Sequence, residues 1–195
     1  VVNAGFNWFE YGYPDRWNDA AVKQLAAGGV RPFAYINAGE LNTGFGSSTG
    51  YNGANLGWNP DFPNSYNVDM TNPSWQTWLV NRAETAYQQG ARGIKWDVAE
   101  PRIAPGKTRQ DVNNAFANVM QTIRARHPDM RFVVNQGFSI ANARPDLVSG
   151  IQHESLLSLI AGGHPSWPNE QLAKLKALHD STGMPVFLAE YGDPW

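Results

Sequence analysis

The sequence predicts an α/β fold, a compact (β/α)8 barrel of the TIM type, from two observations. Seven short apolar segments bounded by turn residues mostly alternate with segments whose apolar residues recur at helical spacing. Each of the seven ends in polar residues, and a barrel gathers the carboxyl ends of its strands at one mouth. A doubly wound sheet would gather them at one switch point instead, and no glycine-rich phosphate motif follows the first segment.

The predicted strands and helices follow one another in chain order. The strands are residues 1–10, 32–37, 66–69, 92–98, 131–137, 150–155 and 185–191, and the helices are residues 16–27, 73–90, 108–127, 139–147 and 168–183. The pair Gly28-Gly29 ends the first helix, and Asn72-Pro73 caps and starts the second. Thr108 and Asp111 resemble a capping box at the start of the third helix.

Residues 41–63 have no hydrophobic period and are rich in Gly, Asn, Ser and Thr, so they are predicted to form a long loop. A structureless loop of this length in a compact domain is usually functional or mobile. Aromatic residues make up 12% of the chain, and an aromatic face can stack on a sugar ring or simply pack in a core. The loop is predicted to wall a substrate groove, with a disordered insertion as the alternative; its aromatic residues are Phe45, Tyr51, Trp58 and Phe62.

The length of the chain limits the architecture. A chain of 195 residues is long enough for one domain, predicted to be residues 1–195, but short for a barrel, which typically takes about 250 residues. The eighth strand is therefore expected to be irregular, trimmed or missing. The chain opens Val1-Val2-Asn3 with neither an initiator methionine nor a signal segment, so we expect it to be a processed or trimmed chain.

Charge and composition exclude several classes of function. The net charge is −2, which argues against a nucleic-acid partner, and no run of about 18 apolar residues could span a membrane. The chain has no cysteine and no G-x-S-x-G nucleophile motif. The four histidines lack the spacing of metal ligands; they are His127, His153, His164 and His179. We therefore expect a monomer that uses neither a metal nor another cofactor.

Two acidic residues at strand ends are the candidate catalytic pair. Asp97 and Glu154 each lie near the end of an apolar segment that starts with a glycine. Because side chains alternate along a strand, an inward Asp97 puts Trp96 against the helices, and an inward Glu154 puts His153 outside. Two carboxylates at one mouth can cleave a glycosidic bond, with retention at a separation of about 5–5.5 Å and inversion at a larger one. An ion pair or a helix cap is the alternative for either acid.

Polar residues near the other strand ends are predicted to bind substrate. They are Asn7, Tyr35, Asn37, Glu40, Asp69, Lys95, Glu100, Asn135, Gln136, Glu190 and Tyr191. Acids among them would bind sugar hydroxyls or a cationic amino group, although Glu100 is equally well explained as a loop cap. Alternation places Lys95 beside Asp97 and one layer deeper, where an unpaired ammonium would be costly. We therefore predict that Lys95 pairs with an acid, for which Asp69 and Glu40 are candidates.

Four segments together resemble a known family. They are residues 33–40, 68–75, 90–100, and 135–137 taken with 150–156. In order, these segments are similar to the "YinvGE", "vd…np.W", "GfDGvflDnvD" and "nng…gvvvEslf" motifs of the endo-α-1,4-polygalactosaminidases. That family is glycoside hydrolase family 114, which is related to the Pel polysaccharide hydrolase domain. The order and spacing of the motifs agree over most of the chain.

The resemblance implies a barrel-shaped, endo-acting glycosidase. The family's catalytic Asp and Glu fall on Asp97 and Glu154, which would be the nucleophile and the acid/base of a retaining enzyme. The implied substrate is a polysaccharide of α-1,4-linked galactosamine or N-acetylgalactosamine, and a partly deacetylated polymer would be cationic, which suits an acid-rich mouth. A polysaccharide substrate in turn implies a secreted, periplasmic or cell-surface location.

Three features depart from the family pattern. Lys95-Trp96 replaces two apolar positions, and Glu100 stands where the family has a second Asp. The family also usually continues beyond the segment that corresponds to residues 189–191. Two alternatives to a glycosidase stay open: a non-catalytic carbohydrate-binding relative of the same fold, and an amino-sugar deacetylase, which would need a metal.

Overall fold

The structure is a computed structural model that describes residues 7–12, 19–42, 55–62, 64–163 and 166–191. The strands in these ranges are β1 (Trp8–Tyr11), β2 (Arg31–Asn37), β3 (Glu40–Asn42), β4 (Asn55–Trp58), β5 (Ser65–Val68), β6 (Gly93–Asp97), β7 (Arg131–Asn135), β8 (Gly150–Glu154) and β9 (Val186–Ala189). The helices are α1 (Asp19–Ala27), α2 (Pro73–Gln88), α3 (Arg109–Arg126), α4 (Phe138–Ala143), α5 (Leu156–Ala161) and α6 (Ser166–Thr182).

Six of these strands form one parallel sheet in the order β1-β2-β6-β7-β8-β9. Parallel neighbours need crossover connections, and the helices lie in those connections. The two edge strands approach each other near their amino ends, where the rings of Trp8 and Phe187 are 4.9 Å apart. Because β1 and β9 form no backbone pairing within the described residues, the curled sheet is an incomplete barrel. The predicted α/β barrel architecture is confirmed in this incomplete form.

A second sheet has three antiparallel strands in the order β3-β5-β4. The prediction that residues 66–69 form a barrel strand is wrong, because β5 pairs with β3 and β4 instead. The prediction of a structureless loop over residues 41–63 is also wrong for the described part, which contains β4 and most of β3. Two of the predicted groove residues, Phe45 and Tyr51, lie outside the described residues.

The sequence signal for this small sheet is weak because β3 and β4 are short and carry few apolar residues. Side-chain contacts hold it together: the Glu40 carboxylate accepts hydrogen bonds from Asn59 and Ser65. The ring of Trp58 packs edge-on against Tyr66 with the ring centroids 4.8 Å apart. Trp58 is nevertheless 45% exposed, and its predicted role in a substrate groove stays a prediction.

The hydrophobic core lies between the outer face of the main sheet and the helices. Alternate strand residues point into it and are almost fully buried: Ile36, Ile94, Trp96, Phe132, Val134 and Ile151. The predicted outward direction of Trp96 is confirmed, since its ring packs edge-on against Phe116 of α3 at 5.5 Å. Trp75 of α2 donates from Nε1 to the Ala38 carbonyl at 2.8 Å, which ties α2 to the end of β2. Within the described ranges, no helix combines the length and the apolar character needed to cross a membrane.

Local capping signals predict the helix starts correctly. Asn72 accepts a hydrogen bond from the Ser74 amide at 2.9 Å, which caps α2. Thr108 and Asp111 each accept a hydrogen bond from the other's backbone amide, so the capping box at the start of α3 is confirmed. Helix α5, which has only six residues, was not predicted.

Two glycines on the inner face of the main sheet make room for aromatic rings. Gly93 lies opposite Phe33 in the β2–β6 register, and a Cβ atom at Gly93 would lie 2.3 Å from the Phe33 ring. A Cβ atom at Gly150 would lie 2.6 Å from the ring of Phe187. The missing side chains therefore let Phe33 and Phe187, together with Trp8, fill the interior near the amino ends of the strands.

We predict that Gly93→Ala lowers the free energy of unfolding by about 1–3 kcal/mol, because the added methyl group overpacks this interior layer. Phe33→Leu removes part of the obstructing ring, so the double variant is expected to lose less stability than the two single variants lose together. Urea unfolding of the parent and the three variants measures this coupling. Strictly additive losses would show that the methyl group and the ring do not meet.

Candidate active site

Asp97 and Glu154 meet at the carboxyl end of the main sheet, with Asn135 between them. Asp97 ends β6, Glu154 ends β8, and Asn135 ends β7, the strand that separates the other two. The Asn135 side-chain nitrogen donates to Asp97 Oδ1 at 2.8 Å and to Glu154 Oε1 at 3.0 Å. The carboxylates that sequence reasoning singled out are therefore bridged by one amide group at one mouth.

Lys95 lies beneath this pair, on the same face of β6 as Asp97. Its Nζ atom is 3.3 Å from Glu154 Oε1, 3.7 Å from Asp97 Oδ1 and 3.9 Å from Glu10 Oε1, and Lys95 is only 2% exposed. The inward direction that alternation assigned to Lys95 agrees with these contacts. A buried ammonium is costly without partners, and here three carboxylates share that role.

The predicted pairing of Lys95 with Asp69 or Glu40 is wrong. Glu40 is buried and accepts hydrogen bonds from side chains of its own small sheet, including Ser65. Asp69 accepts hydrogen bonds from the backbone and hydroxyl of Thr71, which closes a local turn before α2. Both acids belong to the antiparallel insertion or its connection, so their carboxylates stabilise loops and do not contact Lys95.

Two tyrosines complete the surroundings of the carboxylates. The Tyr35 hydroxyl donates to Asp97 Oδ2, so both Asp97 oxygens accept a hydrogen bond. The Tyr35 ring also lies 4.8 Å from Lys95 Nζ, which allows a cation–π contact. Tyr191 is 65% exposed, but partial burial and the nearby Glu154 carboxylate, to which its side chain is hydrogen-bonded, raise the pKa of its hydroxyl. Tyr35 therefore positions Asp97, and Tyr191 lies at the open side of Glu154.

Glu10 is the member of this carboxylate cluster that the predicted set of site residues missed. It lies on β1, the edge strand next to β2, and contributes the third carboxylate around Lys95. Burial raises the pKa of Glu10, Lys95 opposes that increase, and Asp97 and Glu154 add to it. Glu10 lies near a strand end, one residue before the buried Tyr11. Because side chains alternate along a strand, this position is the signal that could have identified Glu10 as inward-facing.

Several predicted substrate-binding residues have structural partners. Asn7 precedes β1 and its carbonyl accepts from the Arg31 amide, so it lies at the amino edge of the sheet, opposite the mouth. The prediction for Asn7 is corrected on that ground. The Asn37 side chain accepts hydrogen bonds from the amides of Gly39 and Glu40 at 3.2 and 2.8 Å, which stabilises the turn after β2.

Two predicted substrate-binding acids hold short helices beside the mouth. Glu190 accepts hydrogen bonds from the amides of Leu157 and Ser158 at 3.0 and 2.9 Å, which caps α5. Glu100 accepts hydrogen bonds from the backbone and hydroxyl of Ser139 in α4. The alternative interpretation of Glu100 as a cap agrees with these bonds. Gln136, another predicted substrate-binding residue, lines a cleft together with Glu100.

His153 lies directly behind Glu154, on the outer face of β8, and is fully buried. Its Nδ1 atom is 3.1 Å from the Glu154 carbonyl, and because a carbonyl only accepts, Nδ1 carries the proton. Its edge packs against the Trp167 ring. Burial lowers the pKa of His153 below 6.5, against the smaller opposing effects of Glu154 and Glu190. The predicted outward direction of His153 agrees with these contacts.

We predict that His153→Asn weakens the pH dependence of stability. Since the folded pKa lies below the unfolded value of 6.5, the unfolded chain binds the proton more readily, and the free energy of unfolding falls as the pH drops below that value. Asn keeps a donor for the Glu154 carbonyl but does not titrate. Urea unfolding at about pH 7 and about pH 5 should show a smaller loss for the variant than for the parent. Equal losses would contradict a buried neutral His153.

We predict that Lys95→Met destabilises the protein by about 3 kcal/mol at neutral pH, because three partly buried carboxylates would lose their shared cation. The loss should shrink in acid, where protonation removes their mutual repulsion. Lys176→Met is the control, since Lys176 pairs with Asp180 on the solvent side of α6 and should change stability by less than about 1 kcal/mol. Similar losses for both variants in urea unfolding would exclude a special role for Lys95.

The glycoside-hydrolase family GH114 model matches residues 13–194 of the chain. No curated protein gives a match. The fold is similar to the glycoside hydrolase domain of a PelA variant from Pseudomonas aeruginosa, at 22% identity over 99% of this chain and 79% of that chain, with a TM-score of 0.79. It is also similar to Ega3 of Aspergillus fumigatus, solved with galactosamine, at 16% identity over 98% of this chain and 80% of that chain, with a TM-score of 0.72. Since the family model spans nearly the whole chain, the protein belongs to glycoside-hydrolase family GH114 and is a glycoside hydrolase.

Proposed function

We propose that this enzyme is an endo-acting, retaining hydrolase of α-1,4-linked galactosamine or N-acetylgalactosamine polysaccharides. The observation that carries the proposal is the Asn135 nitrogen, which bonds one oxygen of Asp97 and one of Glu154 at 2.8 and 3.0 Å. Those two oxygens must therefore lie less than about 6 Å apart. This limit on one pair of oxygens is compatible with the roughly 5–5.5 Å between the carboxyl groups of retaining enzymes.

Asp97 suits the role of nucleophile because its surroundings fix its orientation. It accepts hydrogen bonds from Tyr35 and Asn135, and the Lys95 ammonium lies 3.7 Å away. Hydrogen bonds to a carboxylate and a nearby positive charge both stabilise the negative charge. In the first step an Asp97 oxygen attacks the anomeric carbon, forms the covalent glycosyl-enzyme and displaces the leaving sugar.

Glu154 suits the role of acid and then base. It lies across the mouth from Asp97, with 26% of its side chain exposed, so a glycosidic oxygen and later a water molecule can reach it. In the first step Glu154 donates its proton to the leaving oxygen. In the second step it takes a proton from the water that cleaves the glycosyl-enzyme, which restores both carboxyl groups.

The charge of the mouth supports an amino-sugar substrate. Asp97, Glu154 and Glu10 surround the single ammonium of Lys95, so the cluster stays negative as long as no more than one of the three carboxyl groups binds a proton. A negative cleft attracts cationic groups, and a deacetylated galactosamine unit carries an ammonium. Ega3, the fungal structural neighbour, was solved in complex with galactosamine.

Further parts of the proposal concern the rest of the chain. Tyr191, at the open side of Glu154, would contact the substrate, whereas Lys95 and Asn135 position the two carboxylates. Residues 1–195 would act as a single monomeric domain. Because a polysaccharide of this kind is an extracellular polymer, the enzyme would act outside the cell or at its surface.

The first test is fragment release from an α-1,4-linked galactosamine polymer, followed by mass spectrometry. The parent should release internal fragments, and Asp97→Asn and Glu154→Gln should each lower the rate at least about 100-fold, because each removes one of the two groups that the mechanism needs. Asp129→Asn and Glu84→Gln are matched controls, since they make the same changes at the ion pairs with Arg92 and His127, away from the mouth.

The outcomes separate the competing functions. Products that first appear with the anomeric configuration of the substrate, observed by NMR, would support retention, and the opposite configuration would exclude it. Unchanged rates in Asp97→Asn or Glu154→Gln would remove that residue from the mechanism. Binding of the polymer by the parent without any cleavage would favour the non-catalytic carbohydrate-binding relative instead.

A further inference from the structure

A second cleft opens beside the mouth, at the carboxyl ends of β6 and β7. Its volume is about 530 Å³, within the range of ligand sites, and its lining includes Glu100, Gln136, Phe138, Trp167 and Gln171. Gln136 directly follows Asn135, the residue that bridges the two carboxylates. The cleft therefore continues the same edge of the sheet outward from the mouth.

Trp167 gives this cleft a fixed aromatic surface. It lies in the first turn of α6, which enters from the carboxyl edge because α6 connects β8 to β9. Its ring makes an edge contact with buried His153, with the two ring centroids 5.5 Å apart and an interplanar angle of 63°. Nevertheless, 44% of Trp167 is exposed. A large aromatic side chain held at one side and open at the other can stack on the apolar face of a sugar ring.

Polar groups around Trp167 suit sugar hydroxyls and an acetamido group. Gln136, Asn142 and Gln171 contribute side-chain amides to the lining, and each amide offers both donors and an acceptor. Gln171 is only 7% exposed, so its packing limits its movement. The aromatic face and the amides together are the features that orient a neutral sugar unit.

The charge of this cleft differs from that of the mouth. The Glu100 carboxylate is held by α4 and lies 3.6 Å from the Arg109 guanidinium, and Lys174 also lines the cleft. Lys174 in turn lies 3.6 Å from the Glu170 carboxylate, so two cations balance two carboxylates and the cleft carries no net negative charge. An uncharged sugar unit therefore fits this cleft better than a cationic one.

We propose that the Trp167 cleft is a distal subsite that binds an uncharged, N-acetylated sugar unit of a polysaccharide whose next units occupy the mouth. This inference rests on the proposed function for the identity of the polymer. According to this inference, the mouth selects a positively charged sugar unit and the cleft selects an acetylated one. The enzyme then prefers chains in which acetylated and deacetylated units both occur.

The test is calorimetric binding to the inactive Asp97→Asn protein, with and without a change at Trp167. The probes are a short and a long partly N-acetylated α-1,4-galactosamine oligosaccharide, of which only the long one reaches the cleft. Trp167→Leu should weaken binding of the long probe about 5- to 10-fold and leave the short probe unchanged, because an apolar side chain without an aromatic face cannot stack. Trp167→Phe keeps a ring and should lose about 2-fold at most.

The outcomes are distinguishable from those that test the proposed function. Equal losses on the short and long probes would mean that Trp167 acts through His153 and Glu154, and would overturn the inference. Long-probe binding that is unchanged by Trp167→Leu, or absent altogether, would also overturn it. Failure of the parent to cleave the polymer would defeat the proposed hydrolysis, whereas the binding comparison would still decide the subsite. Thermal unfolding of each variant confirms that the protein under test is folded.

Discussion

The buried ammonium of Lys95 is the interaction on which the arrangement of the mouth depends. Carboxylates brought this close repel one another, and each also loses solvation as it is buried. Lys95 Nζ lies between 3.3 and 3.9 Å from Glu154, Asp97 and Glu10, so one cation offsets both effects for all three. Its removal would leave the acids two ways to reduce the repulsion, by binding protons or by moving apart. Either response would change the spacing and the charge on which the proposed hydrolysis depends.

The interior of the curled sheet makes this interaction possible. The β2–β6 register places Phe33 against Gly93, then Tyr35 against Lys95, then Asn37 against Asp97, which describes three layers from the amino edge to the mouth. The lowest layer is aromatic, and it keeps the stem of Lys95 in apolar surroundings while its ammonium points to the acids. A lower local dielectric strengthens the ion pairs, but it also makes any missing partner costly.

Sequence reasoning located β6, β8 and the longer helices α2, α3 and α6 because each carries a signal within a few residues. Asp97 and Glu154 could be singled out in the same way, from an acid near the end of a strand. Partner choice could not be predicted, because it depends on which strands become neighbours. Glu10 approaches Lys95 only because β1 and β6 flank β2 in the sheet, an order that no local pattern encodes. The same limit explains the wrong partners predicted for Lys95 and the misplacement of Asn7.

The small antiparallel sheet was missed for a different reason. Its strands are only three or four residues long, so hydrophobic alternation has too few positions to appear. The stabilising contacts are hydrogen bonds between distant residues, such as that between the hydroxyl of Ser65 and the carboxylate of Glu40. Hydrogen-bond partners of this kind become visible only when the chain has folded.

The acids around the mouth divide into two groups with different tasks. Asp97, Glu154 and Glu10 face Lys95, whereas Glu100 and Glu190 bind the backbone of the short helices that follow β7 and β8. The second group nevertheless influences the positions of the first. Ser155, directly after Glu154, has a left-handed backbone with φ of 59°, and such a conformation costs free energy in a residue other than glycine. The bonds from Glu190 to α5 hold the chain just beyond this strained residue, so Glu190 also helps to fix where Glu154 points.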